Sequence, residues 1–148
     1  MAGLRFTVPF TVTTATSTVT VVQLIAATNT RIRIERIVIT GKGVLNTDAP
    51  CQFELLLQTT AGTMTAITPV KQNSGDSETI QTTANQTFTA EPTASTIKQA
   101  FAVHPQSRCD QVYPPGRDLI VVGGTRLGLR INTPAQASTF VGYIECEE

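Results

Sequence analysis

The chain has no tryptophan, one histidine, three cysteines and an aromatic content of only 5%. Each shortage removes a class of function. Without tryptophan there is no Cys…Trp…Cys signature, so an immunoglobulin domain is set aside. One histidine, His104, is poor material for zinc or for a histidine-based active site. The cysteines Cys51, Cys109 and Cys146 form no C-x-x-C pair, and their odd number leaves one thiol without a partner. Cys51 and Cys146 fall in apolar strand patterns and read as small buried hydrophobes.

Charge is scarce as well. Asp, Glu, Lys and Arg make up 15% of the chain, and eleven basic residues balance eleven acidic ones. A neutral chain without a basic patch excludes nucleic acid and anionic membranes as expected partners. It also lacks the net repulsion that keeps soluble proteins apart, which suits a protein packed among others. The longest apolar stretch, Val19 to Ala27, is interrupted by Thr20 and Gln23 and is too short to span a bilayer. Met1-Ala2-Gly3-Leu4-Arg5 leads directly into a strand-like segment without a secretory leader, so synthesis in a reducing cytoplasm with free thiols is expected. On that basis the Asn85-Gln86-Thr87 sequon carries little meaning.

What the chain has in abundance is threonine, roughly one residue in six, mixed with Val, Ile and Leu. β-Branched side chains stiffen χ1 and suit a pleated, half-buried strand. The 148 residues form one domain with enough length to bury a core without staples. Leu4, Phe6, Val8 and Phe10 alternate with Arg5, Thr7, Pro9 and Thr11, and Pro9 marks this strand as an edge or an arm. A strand from about Ser17 to Ala26 follows, then a turn at Ala27–Thr30. In Arg31–Ile39 the apolar phase slips between Ile34 and Ile37, which predicts a β-bulge near Glu35-Arg36.

Gly41-Lys42-Gly43 ends that strand, and Asn46-Thr47-Asp48-Ala49-Pro50 reads as a loop. Cys51, Phe53, Leu55 and Leu57 define the next strand, and Met64–Val70 a short one. Lys71–Glu78 reads as an exposed loop, followed by weak strands at Thr79–Thr83 and Gln86–Ala90. Ile97–Val103 is open between strand and helical turn. His104–Ser107 and Tyr113–Gly116 bracket a loop kept extended by proline. Leu119–Val122 reads as a short buried strand, Gly123-Gly124 as a tight turn, and Leu127–Ile131 and Phe140–Cys146 as the last two strands. Eight to ten short strands describe an all-β, single-domain β-sandwich, with a jelly roll preferred. Residues 1–15 would be an N-terminal arm or edge strand and 16–148 the jelly-roll domain.

Catalytic groups are hard to assemble from this set. His104 with Cys109 or Asp110 lacks a nucleophile elbow, and a turn histidine is the stronger reading. Asp48, Asp76, Asp110 and Asp118 form no calcium pattern. Gly123-Gly124-Thr125-Arg126-Leu127-Gly128 lacks the lysine and the following helix of a phosphate loop. No catalytic, metal-binding or cofactor-binding residue is assigned, and no small-molecule substrate. Arg117, Arg126 and Arg130 are candidates to pair with Glu35, Asp110 or Asp118 at an interface, and Tyr113, read as exposed, is a candidate stacking platform for sugar.

Several phrases resemble a family of small structural proteins of tailed bacteriophages. They are Glu54-Leu55-Leu56-Leu57-Gln58-Thr59-Thr60-Ala61-Gly62-Thr63, Thr68-Pro69-Val70-Lys71, Thr89-Ala90-Glu91-Pro92-Thr93-Ala94, Val103-His104-Pro105-Gln106, Tyr113-Pro114-Pro115-Gly116-Arg117 and Gly123-Gly124-Thr125-Arg126-Leu127-Gly128-Leu129-Arg130. The resemblance spans roughly residues 16 to 147. It implies a capsid cement or decoration protein, a jelly roll that trimerises on the outside of the shell and binds the major capsid protein. The expected location is therefore the virion surface, with a homotrimer and the major capsid protein as partners. Leu4, Phe6, Val8 and Phe10 would pair with a neighbouring subunit, and Tyr113 and Arg117 are further interface candidates. The rival reading is a tail or baseplate module that binds a receptor or saccharide.

Overall fold

A computed structural model of the chain describes residues 3–42 and 49–148. Met1, Ala2, Gly43, Asn46, Thr47 and Asp48 lie outside the described residues, and so do the expectations placed on them. The described residues form twelve strands: β1 Arg5–Thr13, β2 Val19–Ile25, β3 Ile32–Lys42, β4 Cys51–Gln58, β5 Thr63–Ile67, β6 Val70–Lys71, β7 Thr83–Ala90, β8 Ala94–Val103, β9 Arg108–Val112, β10 Leu119–Val121, β11 Arg126–Asn132 and β12 Thr139–Glu147. Two antiparallel sheets face each other as a β-sandwich. The first runs β10-β3-β12-β1-β6, with β9 also on the outer edge of β3, and the second runs β5-β7-β2-β11-β4-β8.

Alternation decides what each sheet turns inward. From the first sheet come Phe6, Val8, Phe10, Ile32, Ile34, Ile37, Ile39, Phe140 and Ile144, and from the second Val22, Leu24, Phe53, Leu55, Leu127, Leu129 and Ile131. Phe140 meets Phe53 edge-on across the interior at 5.1 Å, and Phe53 stacks on Phe101 at 6.1 Å. Such side chains each contribute about 1.5–3 kcal/mol by leaving water, so this interior dominates stability. Cys51 and Cys146 are buried within it as free thiols.

The phase slip in β3 has the expected cause. Glu145 of β12 opposes Arg36, and the next residue, Cys146, opposes Ile34, so Glu35 is an extra residue on β3. The bulge lets both Ile32-Ile34 and Ile37-Ile39 face the core. β2 carries a second bulge that the sequence pattern did not disclose. Leu129 opposes Val22 and Arg130 opposes Thr20, leaving Val21 extra.

The N-terminal segment is not an arm. β1 pairs along its whole length with β12, from Arg5 opposite Glu147 to Thr13 opposite Thr139, and its other edge meets β6. Leu4, Phe6, Val8 and Phe10 are buried in their own domain and cannot serve a neighbouring subunit. Pro9 is tolerated beside β12 because β6 covers only Phe6 and Thr7, leaving the far edge of β1 open at Pro9. The boundary at residue 15 therefore falls inside one sandwich.

Other expectations shift for local reasons. Met64–Val70 is not one strand: β5 pairs with β7 in the second sheet, β6 with β1 in the first, and Thr68-Pro69 carries the crossing. Thr79–Thr82 forms no strand, because Gln81 and Thr82 donate their N–H groups to the Glu148 carboxylate at 2.6 and 3.0 Å. Ile97–Val103 resolves as the greater part of β8. The stretch between His104 and Tyr113 contains β9, paired with Arg36–Thr40, with the prolines just outside it. In β10 only Val121 is fully buried; Ile120, and Val122 just past the strand, are exposed.

Candidate functional site

The register of the first sheet builds one continuous outer face from the polar half of each strand. Residues directly opposed across antiparallel strands share a face, so the rows can be read off the pairings. One row is Arg5, Glu147, Arg33 and Ile120; the next is Thr7, Glu145, Arg36 and Val112. Pro9, Tyr143, Val38 and Asp110 follow, then Thr11, Val141, Thr40 and Arg108.

Opposite charges meet across these rows. Arg5 bridges Glu35 at 3.2 Å and Glu147 at 3.4 Å. Arg33 reaches Asp118 at 2.6 Å and Glu147 at 3.2 Å. Arg36 holds Asp110 through both Nε and Nη2, at 2.7 and 2.5 Å, and Arg108 adds a contact to the same carboxylate at 3.1 Å. This fork geometry fixes direction as well as charge. The bond from Arg36 holds the Asp110 carboxyl at about 2, below its ordinary 3.8, and the bond from Arg33 lowers Asp118 likewise. Such carboxylates carry no proton at neutral pH and do not serve as general acids.

A titration prediction follows from these shifts. Asp110 is lowered in the folded state, so its stabilising contribution is complete above about pH 4 and disappears as pH falls through about 2. The variant Asp110→Asn should melt below the wild type at pH 7, and the gap should close between about pH 4 and 2. Thermal melts across that range check it; a pH-independent gap would contradict the assignment.

Aliphatic side chains complete the face. Val112, Ile120 and Val70 are 56, 41 and 53% exposed, and all three project from rows of this face, Val70 through its pairing with Thr7. The second sheet presents a different exterior. On it Gln23 donates to Gln58 at 2.7 Å and to the Thr60 carbonyl at 3.0 Å, and Gln58 donates to Thr20 at 3.0 Å. Glu91 accepts the Thr20 N–H at 2.8 Å. The chain's own β4–β5 and β7–β8 connections thus fold over part of that face, and Gln23, Gln58 and Thr20 are buried beneath them. Further along it, buried Glu54 accepts from Arg130 at 2.6 Å, Asn132 at 3.1 Å and Gln52 at 2.8 Å.

The arginine partners differ from those expected. Glu35 pairs with Arg5, Asp110 with Arg36 and Arg108, Asp118 with Arg33, and Arg130 with Glu54. Sequence reading missed Arg5, Arg33 and Arg36 because alternation marks them only as outward-facing; the register supplies their partners. Tyr113 is buried, its hydroxyl donates to Gln99 of β8, and burial pushes its phenol up to about 12. It ties the β9–β10 connection to the opposite sheet and offers no sugar platform. Arg117 is exposed in the turn before β10, donating its N–H to the Pro114 carbonyl at 2.9 Å.

His104 accepts the Gln106 N–H at its Nδ1, closing a local turn, while Cys109 packs against the core and Asp110 is engaged by arginines. Among the described residues no three His, Cys, Asp or Glu side chains are grouped to hold a metal ion. Nor is any helix among them long and apolar enough to cross a membrane. A crevice of about 410 Å³ lies beside Gly3, Asp76, Glu78 and Glu148, where Glu148 is already engaged by Gln81 and Thr82. Compared with family models, curated proteins and solved structures, the chain matches none.

Proposed function

We propose that this chain is a virion structural protein, a capsid cement protein that forms trimers on the outer shell and stabilises the lattice of the major capsid protein. The observation that carries the reading is the outer face of the first sheet. Its arginines are neutralised by carboxylates already in place, so docking there does not strand a lone charge. Its exposed Val70, Val112 and Ile120 supply apolar contact around that ion-paired centre.

The path of the chain supports a jelly roll as the scaffold. Setting aside the β5–β7 insertion, successive strands β1, β2, β3 and β4 fall in alternate sheets, β8 pairs with β4 in the second sheet, β9 and β10 return to the first, and the closing strands β11 and β12 fall one in each. The resulting orders, β1-β12-β3-β10 facing β2-β11-β4-β8, fit two wound Greek keys. A stiff frame of this kind needs no active site to do the proposed work. Trimerisation multiplies weak contacts with the shell through effective concentration.

The tail or baseplate reading drew on Tyr113 as a saccharide platform, and with that ring buried the observation favouring it is gone. The test is co-sedimentation of the protein with shells of its phage. Wild-type protein should bind at hundreds of copies per particle, and Val112→Asp with Ile120→Asp should lower occupancy at least tenfold while the fold is retained. A handful of copies per particle, or full binding by the folded variant, would overturn the cement assignment to this face.

A further inference from the structure

The edges of the two sheets are not equally protected. β6 has two residues, β5 has five and ends two residues before Pro69, and β9 and β10 share one edge that Pro114-Pro115 interrupts. β8 is ten residues long with no proline, and Ser95, Thr96, Ile97 and Lys98 are exposed along it. Among the described residues β4 is its one strand partner, and no other strand lies along its far edge. Proteins ordinarily shorten, bulge or charge such an edge, since open N–H and C=O groups template further pairing. Here the charge is Lys98, and it sits on a bulge.

The geometry points to β8 as a self-pairing edge: two copies of the chain join antiparallel through β8 about a two-fold axis, making one continuous sheet. The bulge decides the register. Gln99 opposes Leu55 and Ile97 opposes Leu56, so Lys98 is the extra residue. Ile97 and Ala100, opposite Leu56 and Glu54, therefore share the outer face although they are three apart. In an unbulged strand they would point to opposite faces. A two-fold normal to the sheet requires opposed residues to share a face, and the bulge lets Ile97 oppose Ala100 of the second copy. That register runs from Thr96 opposite Phe101 through Ile97 opposite Ala100 and stops at a second irregularity of β8, where Leu56 opposes Ile97 and Gln58 opposes Ala94. It also sets Lys98 opposite Gln99, whereas a shift by one residue in one direction would set lysine against lysine. Lys98 and its bulge thus favour this register and resist indiscriminate pairing.

This two-fold contact is separate from the trimer and the shell-binding face proposed above, and its test involves no capsid. In a Cys109→Ser background, Ile97→Cys with Ala100→Cys should give a covalent dimer under mild oxidation. Opposed residues lie about 5 Å apart, within disulfide reach, whereas Ile97 and Ala100 of one strand, opposite residues two apart on β4, are separated by about 7 Å, at the limit of that reach. Ile97→Cys alone should remain uncrosslinked. Sedimentation of the wild type should show its unit mass doubling with concentration. Absence of covalent dimer from the folded double variant, or efficient dimer from Ile97→Cys alone, would overturn the proposal.

Discussion

Removing residues 1–12 is expected to abolish the native fold, not simply to detach an assembly contact. β1 lies between β12 and β6, and Phe6, Val8 and Phe10 are 0, 0 and 4% exposed in the interior. Truncating side chains of this kind costs about 2–5 kcal/mol each, so losing all three costs on the order of 10 kcal/mol. That is comparable with the whole stability of a typical domain, about 5–15 kcal/mol. The deletion also frees a nine-residue edge of β12 that is now fully paired, inviting aggregation. The truncated chain should therefore lose its cooperative thermal transition and be recovered largely insoluble. A soluble product melting near the wild type would mean that the strand is dispensable to the core.

Arg130→Ala should destabilise the folded chain by about 2–3 kcal/mol, a large effect for an arginine outside the hydrophobic core. Glu54 is 2% exposed and accepts two bonds from Arg130, at 2.6 and 3.0 Å, beside its bonds from Asn132 and Gln52. Removing the cation leaves a buried carboxylate without its counter-charge, the costly way to break such a pair. The figure sits toward the lower end of the range because Arg130 keeps partial contact with water. Urea denaturation with an unchanged m-value would measure it. Replacing both partners, Glu54→Leu with Arg130→Leu, should recover most of the loss, since no charge is then stranded. If the single and double variants are equally destabilised, packing and not charge accounts for the effect.

Several features of this molecule were legible residue by residue. The slip between Ile34 and Ile37 disclosed the bulge at Glu35, because a core-facing strand cannot change parity without an extra residue. Leu127, Leu129 and Ile131 announced the inward face of β11, and they are buried. Alternation also identified β1 as a strand, yet it named no partner. Pro9 suggested an edge, whereas β12 pairs along one side of β1 and β6 along part of the other. β9 was hidden because Pro105 and Pro114 flank it closely and because Arg108–Val112 shows no apolar alternation, its two apolar residues, Cys109 and Val112, being three apart.

The candidate docking face shows the same division. Arg33, Arg36, Glu145 and Glu147 were readable as outward positions on strands, since each alternates with buried Ile or Cys. That Arg36 would grip Asp110 depends on β9 lying against β3 in one register, with the two residues 74 apart in sequence. Composition and period thus determined, from the sequence alone, that the chain is all-β, charge-poor and built as a sandwich. Tertiary structure decided which strands are neighbours, that the N-terminal strand belongs to the core, that Tyr113 is buried, and that the arginines of one face are already paired. The physical reason is range. Side-chain period and turn chemistry act over a few residues, whereas register, burial and ion pairing arise only when distant strands are brought together.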